Sequence, residues 1–151
     1  MNLSFTGEYN YSIDQKGRLN VPAKFRKALD PKNDNTFVIT RGFDPSLIVY
    51  PLIEWKKVEQ QLLLLSSIRN KDRSFVRSIV RYATIAKYDS QGRIQIPDLL
   101  LDYGKIKKEV SIIGMINKIE LWDKAQLNNI DVNNDTKEDP NFEELANEIK
   151  F

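Results

Sequence analysis

The chain has 151 residues, 41% apolar and 29% charged, enough for one compact domain or two very small ones. It has no cysteine and no histidine, which removes disulfides, thiolate nucleophiles, the usual zinc ligands and the commonest general base, and argues against an enzyme. Residues 131–151 carry seven acids against two bases, a net −5, while residues 1–130 hold 21 bases and 14 acids, a net +7. A basic body with an acidic tail suits a polyanionic ligand, although charge alone more often describes an ordinary solvated surface.

The first residues, Met1-Asn2-Leu3-Ser4-Phe5, lack the basic start and apolar stretch of a signal peptide, so the expected location is the cytoplasm. A β-rich stretch, Tyr9-Asn10-Tyr11-Ser12-Ile13, leads into Asp14-Gln15-Lys16-Gly17-Arg18-Leu19-Asn20-Val21-Pro22. Asp at the first turn position and Gly at the fourth predict a type I turn, so the segment reads as a β-hairpin. Alternation in Arg18-Leu19-Asn20-Val21 buries Leu and Val and turns Arg and the amide to the other face. Pro22 ends the strand and suits the first position of a short helix reaching Leu29. A second strand pair follows, Thr36–Thr40 and Leu47–Tyr50, around a turn near Gly42.

Trp55, Val58, Leu62 and Leu65 then share one helical face, and Val76, Ile79, Val80 and Ala83 share another. They predict two antiparallel helices joined near Ser66–Lys71. The run Leu62–Leu65 is the longest purely leucine stretch, far short of the roughly 20 apolar residues a membrane span needs. Thr84-Ile85-Ala86-Lys87-Tyr88 opens a second copy of the first motif, Asp89-Ser90-Gln91-Gly92-Arg93-Ile94-Gln95-Ile96-Pro97, 75 residues after the first. Strands Val110–Ile113 and Ile119–Trp122 follow, with a turn near Asn117-Lys118. Beyond Leu127 the Asn- and Asp-rich chain reads as loose until Pro140. There Phe142, Leu145 and Ile149 fit one amphipathic helix capped by Asn141. The expected fold class is α+β, each half a hairpin, a short helix and a hairpin, with the halves paired about a pseudo-twofold axis. The expected divisions are repeat 1 at 5–52, a helical connector at 53–80, repeat 2 at 81–124 and an acidic tail at 125–151.

The doubled Asp-x-x-x-Arg of Asp14–Arg18 and Asp89–Arg93 resembles the signature of the MraZ family. Tyr50-Pro51-Leu52-Ile53-Glu54-Trp55, Asn117-Lys118-Ile119-Glu120-Leu121-Trp122-Asp123, and Phe5 with Gly7 are similar to that family too, over roughly residues 5–125. The resemblance implies two AbrB-like swapped-hairpin β repeats forming a pseudo-twofold barrel, assembled into ring-shaped homo-oligomers. It implies a transcriptional regulator, typically a repressor, that binds short direct repeats in double-stranded DNA upstream of the division and cell-wall gene cluster. Such a protein works in cytoplasm and nucleoid. The family's DNA contacts map onto Asp14, Arg18, Asp89 and Arg93.

Residue chemistry supports those positions. A guanidinium clamps guanine O6 and N7, or a phosphate, and a nearby carboxylate holds it in position. The alternative is an Asp–Arg pair that merely stabilises a tight turn. Gly17 and Gly92 are expected for turn geometry, and Lys16 as a phosphate contact or a solvated turn lysine. Gln91 stands where the first copy has Lys16, so the second hairpin offers one fewer cation. Lys24, Arg26 and Lys27 form a basic cluster that more often marks a wet face. Arg73, Arg77 and Arg81 are expected to pair with acids of a neighbouring helix or subunit, or to track a phosphate backbone. Tyr50, Trp55 and Trp122 read as core or interface aromatics. With no phosphate-cradling Gly-rich loop, metal-ligand cluster or nucleophile motif, no cofactor is expected. The other function in view is an antitoxin-like module of the same fold, whose hairpins contact protein.

Overall fold

The computed structural model describes residues 4–133 and 140–149. The first repeat supplies β1 (Glu8–Ser12), β2 (Arg18–Asn20), α1 (Ala23–Ala28), β3 (Thr36–Arg41) and β4 (Leu47–Pro51). Two helices follow, α2 (Leu52–Leu63) and α3 (Asn70–Val80). The second repeat runs through β5 (Thr84–Lys87), β6 (Arg93–Gln95), α4 (Asp98–Tyr103), β7 (Glu109–Gly114) and β8 (Ile119–Asp123). It too is followed by two helices, α5 (Lys124–Asn133) and α6 (Pro140–Ile149). The fold is α+β, two copies of one unit.

The copies exchange strands. Six strands form an antiparallel sheet in the order β1-β7-β8-β4-β3-β5, and β2 pairs with β6 in a separate ribbon. Exchanging each strand for its counterpart in the other repeat reverses the sheet order and leaves it unchanged, so a pseudo-twofold axis passes between β4 and β8. The same axis passes through the Leu19–Ile94 pair of the ribbon. β1 leaves its turn to pair with β7, and β2 leaves it to pair with β6, the swapped-hairpin arrangement that the family resemblance implies and that the local reading of each first motif as a hairpin did not contain. Each repeat pairs only β3 with β4, or β7 with β8, within itself; the other four ladders each join a strand of one repeat to a strand of the other, so the two share one core.

Strand alternation sets three layers. Phe37, Ile39, Leu47, Val49, Val110, Ile112, Ile119 and Leu121 point from the sheet into one core with Leu19 and Ile94 of the ribbon, Phe25 of α1 and Leu100 of α4. Phe25 is edge-on to both Phe5 and Tyr9, with ring centres 5.5 and 5.3 Å away. On the opposite face of the sheet Val38 packs with Trp55 of α2 and Ile79 of α3. There the buried Thr40 hydroxyl donates to the Ile79 carbonyl at 2.9 Å. The ribbon and the α2–α3 pair therefore lie on opposite sides of the sheet.

Local hydrogen bonds explain where helices start. Asn33, buried, accepts from the Ile53 N–H at 2.8 Å, satisfying a first-turn donor of α2 that Pro51 cannot cap. Asp72, buried near the start of α3, accepts from Ser66 N–H and from Arg69 Nε, closing the α2–α3 connection. Pro22 and Pro97 precede α1 and α4 rather than opening them. The stretch expected to be loose after Leu127 is helical to Asn133, because Asp123 accepts from the Gln126 N–H at 3.3 Å as a cap and Leu127 is buried. The rest of that stretch, 134–139, lies outside the described residues. α6 begins at Pro140, so Asn141 falls inside its first turn rather than at the cap.

Candidate nucleic-acid interface

Each Asp-x-x-x-Arg segment folds on its own carboxylate. Asp14 Oδ1 accepts from the backbone N–H of Lys16 at 2.9 Å and of Arg18 at 2.8 Å, and its Oδ2 accepts from Arg18 Nε at 2.7 Å. Asp89 does the same with Gln91, Arg93 and Arg93 Nε, each at 2.9 Å. The Gly17 N–H donates to the Asp14 carbonyl at 3.0 Å, and that of Gly92 to Asp89 at 2.9 Å, the i to i+3 bonds of the expected turns. Both glycines are left-handed, φ +78° and +79°. Hydrogen bonds from the Arg18 and Arg93 backbone N–H groups, reinforced by their side chains, hold the two carboxyls below the usual carboxylate range. Both acids are thus charged anchors at neutral pH.

The swap joins the two turns. In the ribbon Arg18 faces Gln95, Leu19 faces Ile94, and Asn20 faces Arg93. Leu19 and Ile94 are buried, so Arg18, Asn20, Arg93 and Gln95 occupy the outward face. Arg18 and Arg93 are diagonal neighbours across the axis, about 7–8 Å apart at the backbone. Carboxylates hold their Nε atoms, and among the described residues no hydrogen bond engages their terminal Nη atoms. Asn20 and Gln95 reach across to the carbonyls of Gln91 and Lys16, so each turn is steadied by an amide from the other repeat. Alternation had placed these amides on this face, but not their cross-links.

The other candidates scatter. Lys16 is exposed on the first turn, and Lys24 and Lys27 are exposed on α1. Arg26, grouped with them in sequence, is half-buried instead: its Nε donates to the Val21 carbonyl at 3.0 Å and its guanidinium lies 6.0 Å over the Tyr88 ring. Arg73 donates to the carbonyls of Ser67 and Ile68, and Arg81 lies 5.4 Å over Tyr82. Within the described chain the Arg73, Arg77 and Arg81 stripe finds no acid; the ion pair of that helix is Arg69–Asp72. Trp55 and Trp122 are buried, and burial pushes the Tyr50 phenol up.

The family model described as "MraZ protein, putative antitoxin-like" matches the chain twice, at residues 4–78 and 79–151. The chain belongs to the MraZ family. The first match takes in one repeat with α2 and most of α3, and the second takes in the other repeat and the helices after it, past residue 125, the limit of the motif resemblance. Among similar curated proteins, the "Transcriptional regulator MraZ" of Halothermothrix orenii is 48% identical over 118 residues, covering 78% of this chain and 80% of that protein. Those of Pediococcus pentosaceus and Natranaerobius thermophilus, with the same name, are each 41% identical over 145 residues, covering 96% of both chains.

Proposed function

We propose that this MraZ-family chain is a sequence-specific DNA-binding regulator of transcription, a repressor that presents the outward face of the β2–β6 ribbon to double-stranded DNA. The observation that carries the reading is the pair of guanidiniums on that face, each fixed through Nε by its own carboxylate with its Nη edge uncommitted among the described residues. A fixed fork of two N–H donors matches guanine O6 and N7, and the major groove admits a two-stranded ribbon. Asp14, Asp89, Gly17 and Gly92 shape the turns, Arg18 and Arg93 read bases, and Lys16 meets phosphate.

One ribbon is little surface for specific recognition. Several copies in a ring engage successive direct repeats together, and avidity multiplies weak contacts when the geometry allows simultaneous binding. Supporting self-assembly, Leu63, Leu64 and Ile68 at the α2–α3 turn are 75%, 79% and 86% exposed, an apolar cluster of the kind that marks interaction surfaces. Binding short direct repeats upstream of the division and cell-wall gene cluster, in cytoplasm and nucleoid, follows from the family resemblance.

The test is Arg18→Ala beside Arg18→Lys, measured by fluorescence anisotropy on promoter DNA at physiological salt. A bidentate contact is worth about 1–3 kcal/mol, so Arg18→Ala weakens each site roughly 5- to 150-fold, and Arg18→Lys, which loses the planar fork, nearly as much. Wild-type affinity in Arg18→Ala would refute the assignment. The family description favours a second reading, an antitoxin-like module whose ribbon contacts protein. A partner that still co-purifies after nuclease treatment, while DNA does not bind, selects that one.

A further inference from the structure

The sequence leaves the second turn one cation short, because Gln91 stands where the first turn has Lys16. The strand exchange supplies another. Val21 N–H donates to the Gly92 carbonyl at 2.8 Å, which sets the start of α1 against the second turn, and Ile96 N–H donates to the Gly17 carbonyl at 2.8 Å, which sets α4 against the first. Under the second turn lies Arg26: a Cβ on Gly92 would stand 2.6 Å from its Cζ and 3.0 Å from its Nη1. Under the first turn the equivalent residue is Leu101, 3.7 Å from a Cβ on Gly17. The guanidinium is thus present where the turn lysine is absent, and absent where it is present. Among the described residues no carboxylate lies within ion-pair distance of Arg26.

We propose that Arg26 is a DNA-phosphate-binding residue of the second turn, the counterpart in trans of Lys16 in the first. Each turn then carries one carboxylate and two cations: Asp14, Lys16 and Arg18, or Asp89, Arg93 and Arg26. The two ends of the ribbon meet the DNA backbone with matched charge, and the deficit read from Gln91 disappears. The proposal rests on the ribbon being the DNA-binding face.

The probe is a labelled random-sequence duplex, whose binding is almost wholly electrostatic, titrated at several salt concentrations. Each lost phosphate contact lowers the slope of log K against log salt by about 0.9 per protomer bound. Lys16→Gln and Arg26→Leu are each expected to lower it by one contact. Leucine is the side chain the other repeat uses at this place, so the packing under the turn is kept. Arg26→Lys, which keeps the charge, retains the wild-type slope. If Arg26→Leu folds poorly by circular dichroism, Arg26→Gln takes its place. An unchanged slope in the uncharged variant beside a lowered one in Lys16→Gln overturns the proposal and leaves the DNA-binding reading standing. So does an equal loss in Arg26→Lys, which would mark a purely structural role. A wild-type protein that ignores the duplex at low salt overturns both.

Discussion

Adding one methyl group at Gly17 or at Gly92 perturbs two turns with nearly the same backbone and different neighbours. Both sit at φ near +78°, where an L side chain costs about 1–2 kcal/mol, so Gly17→Ala and Gly92→Ala share that loss. At Gly92 the new Cβ meets the far end of Arg26, which can swing away if its Nε gives up the bond to the Val21 carbonyl, for about another 1 kcal/mol. At Gly17 it stands 2.9 Å from the carbonyl oxygen of Ile96, a backbone atom just past β6 with no rotamer to escape into. Overpacking of that kind adds about 1–3 kcal/mol. The decisive comparison repeats both changes in an Arg26→Ala background. With Arg26 already truncated, Gly92→Ala should cost about 1 kcal/mol less, while Gly17→Ala should cost the same to within about 0.5 kcal/mol. Urea denaturation of the full chain, followed by the fluorescence of the buried Trp55 and Trp122 at one fixed protein concentration, measures all six proteins. If the cost at Gly92 ignores Arg26, or the cost at Gly17 falls with it, the account of the swapped contacts is wrong.

Two further outcomes follow from the same geometry. Asp14 and Asp89 titrate below their ordinary value of 3.8 in the folded chain, so their contribution to stability is present above that value and is lost as the pH falls through the lower folded values. Asp14→Asn with Asp89→Asn keeps an acceptor for the turn N–H groups but removes the titration, and should flatten the acid limb of a stability–pH curve; a limb as steep as wild type would contradict the turn chemistry. Trp55→Ala removes the largest side chain between α2 and the sheet, buried against Val38 and Ile79, and should cost about 3–5 kcal/mol. Hydrogen exchange should quicken in α2 and α3, while the DNA binding proposed for the ribbon, on the other side of the sheet, should hold in the folded fraction.

Much of this protein is local enough to be read from the residues. The Asp-x-x-Gly-Arg spacing dictates the turn, because a carboxylate two and four residues ahead of two N–H groups bonds them wherever the chain goes next. Alternation sends Leu19 and Ile94 inward and the arginines outward, and the 75-residue repeat announces two copies of one unit. α5 was the harder case: its Asn- and Asp-rich sequence is poor helix material, yet Asp123 with Gln126 three residues on was a capping signal that could have revealed it. Which strand pairs with which is another matter. A β-strand carries its own two faces in its sequence but not the identity of its neighbour, and the choice of β6 for β2 and β7 for β1 is a non-local solution to burying one shared core. That choice alone brings Arg26 beneath Gly92, 66 residues away, and converts two unequal motifs into matched ends of one ribbon.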